Sequence, residues 1–229
     1  MLQWSILLVV IKNIIMQLRK RLFIIGAGGF GRELEFYLGE VKEENQDWEL
    51  IGYLDDNLNA LDDYPSDYKV QGRISNFQFM DSDMVILAIA NPVIKEQIYN
   101  QLKNRVKFFT YIDRTAFVGK FVNIGEGSII CPNCILTTNI SIGCCTILNI
   151  GTQIGHDVTM ADYCSLMPNV DIGGCCDIKD RVFIGTNSTV IPSTKIVKDT
   201  LIGAGAIVVK DINEVGTYVG NPAKLLKMQ

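Results

Sequence analysis

The run "IGTQIGHDVTM", residues 150 to 160, holds the chain's single histidine, His156, followed directly by Asp157. An imidazole exchanges its proton near neutral pH, and a neighbouring carboxylate can fix its tautomer and stabilise its cationic form. Such a pair is equipped to take a proton from an attacking amine or hydroxyl. A second stretch, "GAGGFG" from Gly26 to Gly31, satisfies GxGxxG between an apolar run and a helical pattern. In that context backbone N–H groups and a helix N-terminus receive phosphate. Seven cysteines make an odd total, which disfavours a disulfide scaffold and fits a reducing cytoplasm.

Two kinds of periodicity must position these groups. From Leu22 to about Phe108 short apolar runs alternate with helical patterns: strands in "RLFII", "LIGYLDD" and "MVILAIA", helices in "GRELEFYLGEVKEE" and "NPVIKEQIYNQLKNR". This is an α/β unit with a parallel sheet. It is too short for both halves of a full dinucleotide fold, so NAD is not expected.

Beyond Tyr111 the helical patterns stop. Counting in sixes from Ile112 through Val118 and Ile124 to Val208, all seventeen positions are aliphatic. At the chain's 48% hydrophobic frequency the chance of this is about 4 in a million, so the segment is an internal repeat. A period of six matches neither a flat strand nor a helix; it describes a chain that turns after each short strand and stacks on itself, a hexapeptide parallel β-helix. The first position of each hexad points inward. The fifth is small or β-branched, so Cys134, Cys164 and Cys176, which fall there, read as core fillers. The second is often glycine, expected to relieve strained backbone at the corners. The sole CxxC, Cys131 to Cys134, places its thiols at the second and fifth positions, which face different ways, so no zinc site is expected there.

Charged residues make up 20% of the chain, the net charge is −4, and no long Lys/Arg run is present, which argues against nucleic acid as a partner. Residues 1–21 are apolar, but the uninterrupted stretch ends at Lys12, too short to span a bilayer. They also lack the basic-first order of a signal peptide, and read as an extension or an over-long start, without stable membrane insertion.

The segments "FIIGAGGFGRE", "YLDD", "ILNIGTQIGHDV", "IGTNSTVIP", "LIGAGAIVVKD" and "VGNPAK" together resemble the bacterial sialic acid O-acetyltransferase (NeuD) family, which includes PglD-type amino-sugar N-acetyltransferases. The resemblance covers residues 21 to 227. It implies a Rossmann-like sugar-nucleotide-binding domain over 22–109, a left-handed β-helix acyltransferase domain over 110–212, a tail over 213–229 that contributes to the cofactor site, and a homotrimer. Acetyl-CoA would lie in a groove between neighbouring β-helices, with no metal. His156 matches the general base and Asp157 the acid behind it. Gly174 matches a glycine whose N–H faces the thioester oxygen. Thr186, Gly203 and Ala204 match the acetyl-CoA groove, and Lys224 a contact to the cofactor's phosphates. Gly26, Gly28, Gly29 and Phe30 would line the substrate's phosphates and sugar, Asp55 and Asp56 would reach the nucleoside, and Asn149 joins the substrate residues.

Two departures from the family stand out. Many relatives carry histidine at the position of Phe30, and the studied N-acetyltransferases carry a second histidine, near the acetyl group, at Ser165. The implied reaction is acetyl transfer to a nucleotide-activated amino sugar for a surface glycan, by direct attack in a ternary complex. O-acetylation of a sialic acid by the same histidine is the alternative; a trimeric binding or scaffold protein without catalysis is the alternative of another class. A cysteine acyl-enzyme is disfavoured because Cys164 faces inward, and one histidine cannot supply the zinc set of β-helical carbonic anhydrases.

Overall fold

Leu22 to Ile25 form an unbroken apolar run that is fully buried, as a central parallel strand requires. The computed structural model describes residues 19–41 and 47–226, so residues 1–18 of the extension lie outside it. Strand β1 (Lys20–Ile25) begins inside the stretch assigned to that extension. Lys20 and Arg21 already pair with Trp48 and Glu49, and the Arg21 guanidinium donates two hydrogen bonds, of 2.8 and 2.7 Å, to the buried Asp83 carboxylate. A buried carboxylate without such a partner would be costly.

Strands β2 (Trp48–Leu54) and β4 (Met84–Leu87) flank β1 in parallel, with β3 (Val70–Gly72) and β5 (Lys107–Phe108) completing the order β3-β2-β1-β4-β5. The chain winds one way from β1 to β3 and the other way to β4. Such a reversal opens a crevice at the carboxyl ends of β1 and β4. Helix α1 (Gly29–Gly39) starts there and buries Leu34 and Leu38. A Cβ on Gly31 would lie 2.0 Å from the Gly26 carbonyl oxygen, so this crossing admits only glycine. The remaining end of the helical run expected to residue 44 falls partly outside the described residues.

In the repeat, paired strands advance in steps of 18: Ile135 pairs with Gln153, Gln153 with Asp171, and Asp171 with Thr189. Three hexads therefore make one coil. The coils stack into three sheets of parallel strands, the first running through Tyr111, Ile147 and Leu201 and closed by an antiparallel strand at Lys224–Leu225, the second through Phe117, Gln153 and Ile207, the third through Ile140, Thr159 and Lys195. From Ile130 to Val208 every first-position aliphatic is at most 3% exposed, whereas Ile112 and Val118, in the first coil, are 45% and 37% exposed because no earlier coil covers them.

The glycines behave differently from the expectation. Positive φ occurs at the fourth hexad position, filled by Asn133, Asn139, Asp157, Cys175, Asn187 and others, not at the second-position glycines. Short polar side chains are among those that tolerate this region. Where the second position is glycine, the next coil passes too close for a side chain: a Cβ on Gly119 would meet the Thr137 oxygen at 1.6 Å, and one on Gly173 the Pro192 nitrogen at 2.5 Å. Inward fifth-position hydroxyls and thiols bond to carbonyls fifteen residues on, as in Ser128 to Gly143 (2.8 Å), Ser188 to Gly203 (2.8 Å) and Cys176 to Ile191 (3.3 Å). Cys134, Cys164 and Cys176 are buried fillers, as their positions require.

Helix α2 (Pro92–Leu102) opens with Asn91, whose side chain accepts from Val93 and Ile94, and with Pro92 in the first turn. Its contacts group it with the β-helix, so the division near residue 109 is not where compactness parts the chain. Tyr99 donates to Glu126 at 2.6 Å and packs on Phe108 and Tyr163, and Glu96 pairs with Arg181 at 3.0 Å. Lys95 is fully buried, its ammonium nitrogen 2.9 Å from the Cys164 carbonyl and 2.7 Å from Ser165 Oγ. Burial pulls its pKa down to about 7. The folded chain thus gives up this proton before the unfolded chain does, so stability should rise with pH from about 7 towards the unfolded value near 10.5. In Lys95→Met that increment should vanish relative to the parent in denaturant titrations across this range. Among the described residues no helix is long and apolar enough to cross a membrane.

Candidate functional site

Because a coil is 18 residues, residues that far apart stack along one edge of the prism. The edge between the second and third sheets carries Asn139, Asp157 and Cys175 in one column, with His156 and Gly174 beside it. Backbone bonds from Asp157 N to Thr138 O (3.2 Å) and from Cys175 N to His156 O (2.7 Å) tie the column together. Asp157 has φ +61°.

That carboxylate has two close polar partners, with the Cys175 thiol farther off at 3.9 Å. His156 Nδ1 lies 2.6 Å from Oδ2, and Asn139 Nδ2 donates to Oδ1 at 2.6 Å. The bond from Asn139, then that from His156, holds Asp157 below the usual carboxylate range. An ionised carboxylate only accepts, so Nδ1 carries the imidazole proton and Nε2 the lone pair. The histidine side chain is 62% exposed. Behind it lies Gly174: a Cβ there would stand 2.7 Å from Nε2. The arrangement is a solvent-accessible base, oriented from Nδ1 and backed by main chain at Nε2.

Asn139 was missing from the sequence reading, although its spacing of 18 from Asp157 is the signal. As a positioning residue it yields a prediction: Asn139→Ala should lower kcat about threefold to tenfold. Losing this donor raises the Asp157 pKa, so the acid limb of the kcat profile should move to higher pH. A pH–rate series on parent and variant checks both.

The remaining site residues stand elsewhere. Thr186, Gly203 and Ala204 lie on the edge between the first and second sheets, where Gly205 N donates to Thr186 O at 2.8 Å and Ala204 is exposed. Asn149 is on the same edge but buried, its Oδ1 accepting from Ile150 N at 2.7 Å, so in this chain it shapes the turn. Lys224 is exposed and lines, with Lys210, Tyr218 and Pro222, a cleft of about 540 Å³. Ser165 points outward from the first sheet, but α2 covers that face; the serine is fully buried against Lys95 and is not beside His156.

In the parallel-sheet unit Gly28 and Gly29 are exposed, with open space where a Cβ would be, and Gly28 caps α1 without a side chain. Phe30 is half-buried in the first helical turn. Gly26 has φ +98°. Asp55 accepts from Ala27 N and Asn57 N, both at 2.8 Å, and so secures the glycine loop. Asp56 accepts from Ile74 N at 3.1 Å.

These two architectures in one chain are matched in known proteins. The PglD N-terminal domain family matches residues 21–102. WeeI from Acinetobacter baumannii AYE is 30% identical, with 90% of this chain and 99% of that one covered at a TM-score of 0.77. The chain belongs to the PglD-type acetyltransferase family. A GDP-perosamine N-acetyltransferase of Escherichia coli O157:H7 is 28% identical over 226 residues, covering 89% of this acetyltransferase and 95% of the relative. The acetyltransferase domain of PglB from Neisseria gonorrhoeae FA1090 superposes with a TM-score of 0.79 at 26% identity, over 91% of this chain and all of that domain. The same domain has been solved in complex with acetyl coenzyme A, at a TM-score of 0.76.

Proposed function

We propose that this acetyltransferase moves the acetyl group of acetyl-CoA onto the amine of a nucleotide-linked amino sugar, in the cytoplasm, with His156 as general base. The observation that carries the reading is the 2.6 Å bond from His156 Nδ1 to Asp157, which leaves Nε2 as the accepting nitrogen on an exposed edge. The sugar amine attacks the thioester carbonyl while Nε2 takes its proton; the tetrahedral intermediate collapses, expels the CoA thiolate, and the imidazolium returns the proton to it. Asp157 stabilises the imidazolium meanwhile. The Gly174 N–H is assigned to the developing oxyanion.

The cofactor residues Thr186, Gly203 and Ala204 occupy a different edge from His156. That separation supports a groove made by two copies, each giving one edge, as in a homotrimer. The exposed Gly28–Gly29 turn at the α1 N-terminus suits the substrate's diphosphate, and the relative acting on a GDP-sugar points to the same class.

The test is thiol release from acetyl-CoA by the purified chain, against nucleotide-linked amino sugars, their hydroxyl counterparts and free sialic acids. Turnover confined to the amino sugars is expected. Turnover confined to sialic acids would keep the base and replace the acceptor, and no turnover with any of them would overturn the reading.

A further inference from the structure

We propose that His156, Asp157 and Cys175 form a binding site for a zinc ion that switches the base off. Their ligand atoms, an imidazole nitrogen, a carboxylate oxygen and a thiol sulfur, lie within 4.8 Å of one another, the one such group among the described residues. All three side chains are exposed, so a hydrated ion reaches them without the fold opening. Cys175 Sγ stands 3.9 Å from Asp157 Oδ2, and His156 Nδ1 stands 2.6 Å from it. Around a tetrahedral zinc, N, O and S ligands are about 3.4–3.6 Å apart, so one contact widens and the other closes by less than about 1 Å. Rotations of exposed side chains supply that.

The donor set chooses the ion. Magnesium and calcium seek oxygen ligands, whereas imidazole with thiolate selects zinc, and three protein ligands leave a fourth position for water. Binding replaces the thiol proton by the metal, and that proton goes to solvent, so affinity rises with pH. With zinc on Nδ1, the single proton of neutral imidazole moves to Nε2, which can then accept no other. With zinc on Nε2, the lone pair is occupied directly. Either geometry silences the base.

Binding does not depend on the proposed reaction; only the inhibition rests on it, so the two are measured separately. Cobalt(II) is titrated into the metal-free full chain as a spectroscopic substitute, and zinc affinity is measured by competition with a chromophoric chelator. One equivalent should bind with a thiolate-to-cobalt charge-transfer band, and zinc should displace it. Cys175→Ser should lose the band, bind zinc about 100-fold more weakly or worse, and keep its metal-free thermal transition. In the thiol-release assay zinc should inhibit the parent, a chelator should restore it, and Cys175→Ser should transfer acetyl normally and resist zinc. A band retained in Cys175→Ser, or equal zinc affinity in the two proteins, would overturn the site. Zinc bound through Cys175 without loss of turnover would overturn the switch.

Discussion

His156→Ala should lower kcat for acetyl transfer by about 10³-fold, within the range of 10²- to 10⁴-fold that a positioned general base contributes. The imidazole contributes nothing to the core: it is 62% exposed, and its fixed partners are Asp157 and the backbone at Gly174. Thermal unfolding should therefore be unchanged, and so should KM for either substrate, because the proton is taken only as the new bond forms. Comparing kcat, KM and the unfolding midpoint of parent and variant checks all three. An alanine variant with unaltered kcat would remove the base from His156.

The second large effect is expected at Gly174→Ala. An added methyl would sit 2.7 and 2.8 Å from Nε2 and Cε1 of the imidazole, closer than real contacts allow, and a tight 3.1 Å from Cδ2. The neighbour that yields is an exposed side chain, so stability should change by less than about 1 kcal/mol. The ring can move only by breaking its 2.6 Å bond to Asp157, and a base displaced by about 1 Å costs about 10²-fold in rate. Steady-state kinetics beside a denaturant titration separate this from a folding defect. Gly173→Ala is the informative contrast: there the obstacle is the Pro192 backbone nitrogen at 2.5 Å, so stability should fall as well.

The hexad register was legible because one aliphatic residue in six is a simple constraint repeated many times, and burial from Ile130 to Val208 follows it closely. The exposure of His156 and Asp157 was legible for the same reason, since their third and fourth positions place them outside the core. The site's surroundings were not, because Asn139, Asp157 and Cys175 become neighbours only when three hexads close one coil. The second-position glycines were read as strained corners, while the structure needs them for close packing between coils and places positive φ two residues later. Ser165 was read beside the acetyl group. Nothing in the pattern said that α2 would cover the face on which it lies, or that Lys95, a residue type seldom buried, would seal it.

The coil of 18 residues also governs how such a chain can change in length. Inserting one residue between Asp157 and Cys175 would rotate every later position out of line and carry aliphatic side chains to the outside. Adding six would preserve the aliphatic rhythm yet move all that follows onto another face, parting His156 from Gly174. Only whole coils, added beyond the edge that carries His156, lengthen the prism without parting these residues. Tolerated size variation among such enzymes should therefore come in multiples of 18, and loops of any other length should leave and rejoin the prism at the same corner.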